Sequence, residues 1–216
     1  MPRTINALTF TGAAVALASA LFVGACTPKA SHFDPTAERV ARGHLLVSIG
    51  GCNDCHTPMK FDPEIGMPIP DMSRMLSGHP EGAPEPSSAL SGHDNAAIGP
   101  TFTAFKLPFG TVFTANLTPD AVTGLGNWTE DMFVHAVRTG RHMGGSGRPI
   151  LPPMPWQNLA AQSDDDLKAI FAYLRSIPAV KNDVPAPKVP DAVMSAIATS
   201  YEKMAARMKA GTVASR

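Results

Sequence analysis

Residues 50–56 read Gly-Gly-Cys-Asn-Asp-Cys-His, and this stretch decides how the rest of the chain is interpreted. It contains C-x-x-C-H, the signature of covalent c-type haem attachment. Two thiols three positions apart lie on one side of a turn, so both can form thioethers with the haem vinyl groups. The next residue, His56, is then placed beneath the iron as its proximal ligand. The motif therefore predicts one haem c held by Cys52, Cys55 and His56.

Two other uses of this motif fit the sequence less well. A zinc site would need a second pair of ligands with similar spacing. The chain has three cysteines, and the third, Cys26, stands alone. A thioredoxin-like dithiol needs a βαβ context, which the surrounding sequence does not suggest. The sequence therefore favours covalent haem attachment over both of these uses.

The N-terminal part has the pattern of an export signal. No charged residue occurs between Arg3 and Lys29, and residues 12–25 are apolar or small. That run is too short to span a bilayer, which takes about 20 residues, but it fits the hydrophobic region of a signal peptide. Its end, Val-Gly-Ala before Cys26, resembles a bacterial lipobox. The resemblance implies that residues 1–25 are a lipoprotein signal peptide, that Cys26 carries the lipid, and that residues 26–35 form a linker. Ordinary secretory cleavage, which would leave Cys26 free, is the alternative.

The composition excludes several classes of protein. The 216 residues contain 18 Lys+Arg and 18 Asp+Glu, a balance that argues against a nucleic-acid footprint or a polybasic membrane patch. Three cysteines are too few for a disulfide scaffold. The 21 prolines and 18 glycines predict a large share of loop.

Two helices are predicted on either side of the chain's middle. The first begins at Asp34-Pro35 and places Val40, Gly43 and Val47 on one face. A glycine inside a helix is costly, so Gly43 predicts a close approach by another element. The second helix begins at Ser163 with an S-x-x-D capping pattern and ends before Pro178. Its apolar face comprises Leu167, Ile170, Phe171 and Leu174.

With these elements in place, the sequence resembles a class I cytochrome c. In that family the N- and C-terminal helices cross near the haem edge, and a methionine before the C-terminal helix is the sixth iron ligand. Four stretches resemble the cytochrome subunits of bacterial periplasmic dehydrogenases: NLTPD at 116–120, TGLGNW at 123–128, MPW at 154–156 and DLKAIFAYLR at 166–175. Relatives often carry two or three haem modules, whereas this chain has one C-x-x-C-H motif.

The resemblance implies an all-α, cytochrome c-like helical domain around one covalent haem, over residues 36–180. A long Pro- and Gly-rich loop insertion is expected at 57–115, because its prolines break any long regular element. Residues 181–216 are expected to form a Pro-rich linker and a C-terminal helix that stops at Gly211. The apolar face of that helix comprises Met194, Ile197, Tyr201, Met204 and Met208. This helix either packs on the domain or docks a partner.

The sixth ligand is predicted to be Met154. Each proline of its loop, Leu-Pro-Pro-Met-Pro-Trp at 151–156, restricts the backbone, so the thioether can be held with little loss of entropy. Met143 is the rival, but its surroundings are rich in glycine. Three histidines remain open as alternative ligands: His79, His93 and His142.

The implied function is electron transfer without substrate catalysis. A His/Met-ligated haem has a raised reduction potential, which suits an acceptor of electrons from a dehydrogenase. The implied partners are a periplasmic dehydrogenase, a downstream oxidase or cytochrome, and the membrane through Cys26. Arg138, Arg141 and Arg148 are candidates for contacts with haem propionates or an acidic partner, or else form a solvated basic face.

Two other functions stay open. A haem enzyme or a sensor of gas or peroxide would have a sixth ligand that can be displaced. A diheme peroxidase would need a second C-x-x-C-H motif, which this sequence lacks. A copper-handling lipoprotein would use soft thioether ligands. Its candidates are Met59, Met67, Met72 and Met75 with His79.

Overall fold

A computed structural model describes Met1 and residues 35–87 and 96–214. Apart from Met1 and Pro35, the predicted signal peptide, Cys26 and the linker at 26–35 lie outside the described residues, as does His93. Among the helices that the structure does describe, none combines the length and apolar character needed to cross a bilayer.

Six α-helices are described, and those predicted from the sequence are present. Helix α1 covers Pro35–Ile49 and α2 covers Cys52–His56. Helix α3 covers Glu130–Thr139, α4 Trp156–Ala160, α5 Asp164–Ser176 and α6 Asp191–Ala214. The predicted cap of α5 is confirmed, since Ser163 Oγ accepts a hydrogen bond of 3.1 Å from the Asp166 backbone N–H.

The region predicted as a loop insertion contains short strands. Strands β1 (Met59–Asp62) and β2 (Met67–Pro70) form an antiparallel hairpin. Strands β3 (Ala97–Ile98), β4 (Ala104–Leu107) and β5 (Gly110–Phe113) form a second antiparallel sheet in the order β3-β4-β5. The chain is mostly helical, so the all-α prediction holds only in that coarser form. Proline is tolerated in β2 because, within the part of the chain that the structure describes, this strand pairs with β1 alone.

The hydrophobic core joins α1, α3, α4, α5 and α6. Its members include Val47, Phe133, Trp156, Ile170 and Tyr201, one from each of these helices. The four side chains predicted on the apolar face of α5 are all buried. Helix α1, which precedes the haem motif, and helices α4 and α5, which follow the Met154 loop, therefore share one core.

Gly43 is where α1 and α5 approach most closely. A Cβ atom on Gly43 would lie 1.9 Å from the Ala169 carbonyl oxygen, inside the backbone of α5. Next to this point the His44 and Tyr173 rings pack with their centroids 5.0 Å apart. The close approach predicted from Gly43 is confirmed, and α5 is the element that makes it.

The C-terminal part is tied to the rest of the described chain. The Thr111 and Lys188 backbones exchange two hydrogen bonds, of 3.1 and 2.8 Å, so the predicted linker adds to the edge of β5. Helix α6 packs on the core through Tyr201, whose ring lies 5.0 Å from that of Trp156. The predicted stop at Gly211 is wrong, because α6 continues to Ala214. An exposed glycine weakens a helix by about 1 kcal/mol without ending it.

We expect Gly43→Ala to lower the free energy of unfolding by about 1–3 kcal/mol, because the new methyl group forces two backbones apart. Chemical denaturation of the full chain measures this. The matched control is Gly211→Ala, since Gly211 is also helical but has open space where its Cβ would lie. That variant should gain up to about 1 kcal/mol from helix propensity alone. Equal effects of the two substitutions would contradict the role of Gly43.

Candidate haem-binding site

The single turn of α2 places the three residues of the C-x-x-C-H motif together. Cys52 and Cys55 are three positions apart on one helical turn, which puts both thiols on the same side. Both cysteines are free and partly buried. Burial is the main cause that raises the pKa of each thiol, and the Asp54 carboxylate adds to it. Both side chains are therefore neutral thiols at neutral pH, one turn apart.

His56 is buried, and its ring is held by one hydrogen bond. Its Nδ1 lies 2.8 Å from the Ala115 carbonyl oxygen. A carbonyl can only accept, so Nδ1 carries the proton and Nε2 of the neutral imidazole keeps a free lone pair. Burial lowers the pKa of His56, and the bond to Ala115 acts in the opposite direction. The ring is therefore neutral and oriented, which is the form that binds a metal through Nε2.

The chain that follows α2 folds back on the motif. Thr57 is fully buried, and its hydroxyl donates to Asn53 Oδ1 at 2.8 Å and accepts from the Leu76 backbone N–H at 2.9 Å. This links α2 to residues 76–79. Those residues run beside residues 114–117, which contain the carbonyl that holds His56.

Apolar side chains surround the two thiols. Cys55 packs against a cluster of Phe105, Val112 and Leu151, and Cys52 packs against the main core. Haem c needs two thiols for attachment and an imidazole for its iron, and this turn provides all three groups. The apolar side chains around them suit the hydrophobic haem ring. The residues present therefore fit this group, which would be held by Cys52, Cys55 and His56.

Met154 lies in a tight, partly buried turn. Its backbone N–H donates to the Leu151 carbonyl at 3.2 Å, and its own carbonyl accepts from the Trp156 N–H at 3.0 Å. Leu151 belongs to the cluster that contacts Cys55, so the methionine loop and the haem motif share apolar neighbours. The rival, Met143, has 57% of its surface exposed. Its backbone is in the left-handed region, with φ 49°. Ligation of the iron by Met154 stays a prediction.

The alternative histidines have other contacts. His79 is fully buried, its Nδ1 lies 2.9 Å from Thr103 Oγ1, and its ring packs 4.9 Å from that of Phe113. His142 packs edge-on against Trp128 at 6.5 Å. Burial, and secondarily the Arg148 guanidinium, lower the pKa of His142 to about 4. Both rings pack against aromatic side chains, and the buried Nε2 of His79 has no hydrogen-bond partner among the described residues, so both histidines stay alternatives to Met154.

The methionines proposed for copper are spread along the β1–β2 hairpin and beyond it. Met59 lies opposite Pro70 and Met67 opposite Asp62, which are the two ends of the hairpin. Met67 and Met72 are more than half exposed. Met75 instead packs against the main core. The described residues thus hold Met59 and Met67 apart, which does not favour a shared thioether site.

Each of the three arginines named from the sequence donates a hydrogen bond within the chain. Arg138 donates to the Ala160 carbonyl, to the Gln162 carbonyl at 2.8 Å and to Asp164 Oδ1 at 2.6 Å, so it joins α3 to the start of α5. The side chains of the other two donate one hydrogen bond each. Arg141 donates to Glu202 Oε1 of α6, and Arg148 donates to the Pro149 carbonyl. The guanidinium of Arg138 is thus committed to contacts within the chain.

The sequence did not reveal Ala115 or Gly78 as parts of the site. Ala115 acts through its carbonyl, and Gly78 donates its backbone N–H to the His56 carbonyl at 2.8 Å. Main-chain groups are present in every residue, so residue type carries no signal for such bonds. The glycine at position 78 was the one hint of a close backbone contact that the residue types offered.

Comparison with known proteins places cytochromes among the relatives. The gluconate 2-dehydrogenase cytochrome c subunit of Pantoea cypripedii is 42% identical over 31% of this chain and 14% of its own length. The alcohol dehydrogenase (quinone) cytochrome c subunit of Gluconobacter oxydans is 40% identical over 32% of this chain and 14% of its own length. The fructose dehydrogenase cytochrome subunit of Gluconobacter japonicus is 26% identical over 81% of this chain and 29% of its own length.

These matches are partial. The chain matches less than a third of the length of each of these relatives. No protein-family model matches the chain. Over the matched part, the chain is homologous to cytochrome c subunits of bacterial dehydrogenases.

Proposed function

We propose that this chain is a periplasmic, lipid-anchored cytochrome that carries single electrons on one haem c. It would take electrons from a dehydrogenase partner and pass them to an oxidase or another cytochrome of the respiratory chain. The observation that carries this proposal is the C-x-x-C-H turn, in which Ala115 holds the His56 ring and leaves Nε2 free. The homology to cytochrome c subunits of dehydrogenases supports the choice of partner.

Each residue of the motif has a separate task in this proposal. Cys52 and Cys55 attach the cofactor covalently, so it cannot dissociate. When bound, haem c supplies an iron centre that accepts and releases one electron. His56 offers Nε2 as the proximal ligand and is kept neutral and oriented by burial and by Ala115. Apolar side chains pack against both thiols. Such surroundings would limit the access of solvent to the bound haem and so tune its reduction potential.

Met154 would complete the proposed site by offering its thioether sulfur to the haem iron. With His56 and Met154 both bound to the iron, the protein would leave no position for a substrate. The turn around Met154 is short and hydrogen-bonded at both ends, which supports a fixed thioether. Met143 is more exposed than Met154, and two glycines, Gly144 and Gly145, follow it directly.

The covalent attachment is tested by the double variant Cys52→Ala/Cys55→Ala. It should retain no haem through denaturing electrophoresis, because neither thioether can form. The matched control is Cys26→Ser, which removes the third cysteine and should keep the haem stain at the wild-type level. Haem retained through denaturation in the double variant would contradict the proposed attachment.

The axial methionine is tested by comparing Met154→Ala with Met143→Ala. Loss of the iron-bound sulfur should lower the reduction potential, because a soft neutral thioether favours ferrous over ferric iron. It should also remove the sulfur-to-iron charge-transfer band of the oxidised protein. We expect both changes in Met154→Ala and neither in Met143→Ala.

The reverse pattern would identify Met143 as the ligand, and no change in either variant would point to a histidine. Carbon monoxide provides a separate check of the filled site. Rapid binding by the reduced wild-type protein at neutral pH would contradict it and favour a gas or peroxide sensor.

The lipid anchor is tested by Cys26→Ser. Export of this variant should release it from membranes into the soluble periplasmic fraction, because the thiol that carries the lipid is gone. Fractionation before and after a high-salt wash measures this. A variant that stays on the membrane after the wash would show that something other than Cys26 retains the protein.

A further inference from the structure

Residues 76–79 contact the proximal histidine from the side of its backbone. The Gly78 N–H donates to the His56 carbonyl at 2.8 Å. On either side of Gly78, the segment is paired with residues 114–117, through His79 N–H to the Thr114 carbonyl at 3.0 Å and Leu117 N–H to the Leu76 carbonyl at 2.9 Å. The carbonyl that holds the His56 ring lies inside this paired stretch, at Ala115.

At Gly78 the segment 76–79 lies so close to residues 114–117 that there is no room for a side chain. Its φ is +77°, a conformation that favours glycine. A Cβ atom there would lie 2.5 Å from the Thr114 carbonyl oxygen and 2.6 Å from that of Ala115. Any side chain at this position must therefore push away the same carbonyl group that accepts from His56.

Asn182 binds the carbonyl groups of the residues before and after Gly78. It is 2% exposed, and its Nδ2 donates to the Ser77 carbonyl at 2.7 Å and the His79 carbonyl at 2.9 Å. Its Oδ1 accepts from Arg74 Nη2 and from the Glu81 N–H, both at 2.9 Å. The amide is thus fully used, and all of its side-chain bonds go to residues 74–81.

We propose that Gly78 and Asn182 are positioning residues for the proximal histidine, which set the reduction potential by fixing the Ala115 carbonyl against His56 Nδ1. This inference rests on the proposed function. A hydrogen bond from Nδ1–H to a carbonyl makes the imidazole a stronger electron donor to iron. Stronger donation favours ferric iron and lowers the potential, so a displaced carbonyl raises it.

The first test compares Gly78→Ala with Gly66→Ala in the full-length, haem-loaded protein. Gly66 has nearly the same φ, +76°, but nothing lies within 4 Å of where its Cβ would be. Both variants therefore carry the same backbone penalty, and only Gly78→Ala displaces Ala115. We expect a higher reduction potential in Gly78→Ala and an unchanged one in Gly66→Ala.

A second readout follows the hydrogen bond itself. In the reduced protein, proton NMR should show the His56 Nδ1–H resonance moved upfield and exchanging faster with solvent in Gly78→Ala. A purely structural role of Gly78 would lower stability without moving this resonance or the potential. Wild-type values of both quantities in Gly78→Ala would overturn the proposal.

If Gly78→Ala does not fold, Asn182→Ala tests the same proposal. It removes the side-chain hydrogen bonds to residues 74–81 without adding atoms. Its control is Asn127→Ala, since Asn127 also donates to a main-chain carbonyl, that of Ala121 at 2.7 Å, but is exposed. We expect the potential to rise in Asn182→Ala only. Equal reduction potentials in the two asparagine variants would overturn the proposal. A wild-type protein that carries no covalent haem would instead overturn the proposed function.

Discussion

The hydrogen bond between His56 Nδ1 and the Ala115 carbonyl is the interaction on which the site depends. A buried imidazole must satisfy its N–H group, and this bond does so while leaving Nε2 free. Through this bond the insertion after the haem motif orients the His56 ring, because residues 76–79 and 114–117 together hold that carbonyl in place. The orientation of the ring thus depends on residues about 60 positions along the chain from it.

The helices supply the support behind this bond. Helix α5 lies against α1 at Gly43, where the absence of a side chain lets the backbones meet, and the haem motif follows α1 after two residues. The methionine loop is fixed between α3 and α5, whose junction is bound by Arg138. The main core joins these helices with α6. The motif and the methionine loop are therefore held by one packed unit.

The C-terminal segment has a larger structural role than its proline content suggests. Asn182 lies in the predicted linker, yet it is buried and bonds to four groups of the insertion. Lys188 extends the sheet beside Thr111, and α6 then covers Trp156 through Tyr201. Prolines lower the entropy of an unfolded chain, so a proline-rich stretch can be well ordered when its few hydrogen bonds are buried.

Residue types at short spacing were enough to predict the haem motif, helices α1 and α5, the Ser163 cap and the close approach at Gly43. The groups that hold His56 become visible only in the folded chain, since the Ala115 carbonyl and the Gly78 N–H are main-chain atoms that residue type does not reveal. The short strands of the insertion were missed for a related reason. Their pairing joins segments whose prolines and glycines resemble loop until a partner strand is known.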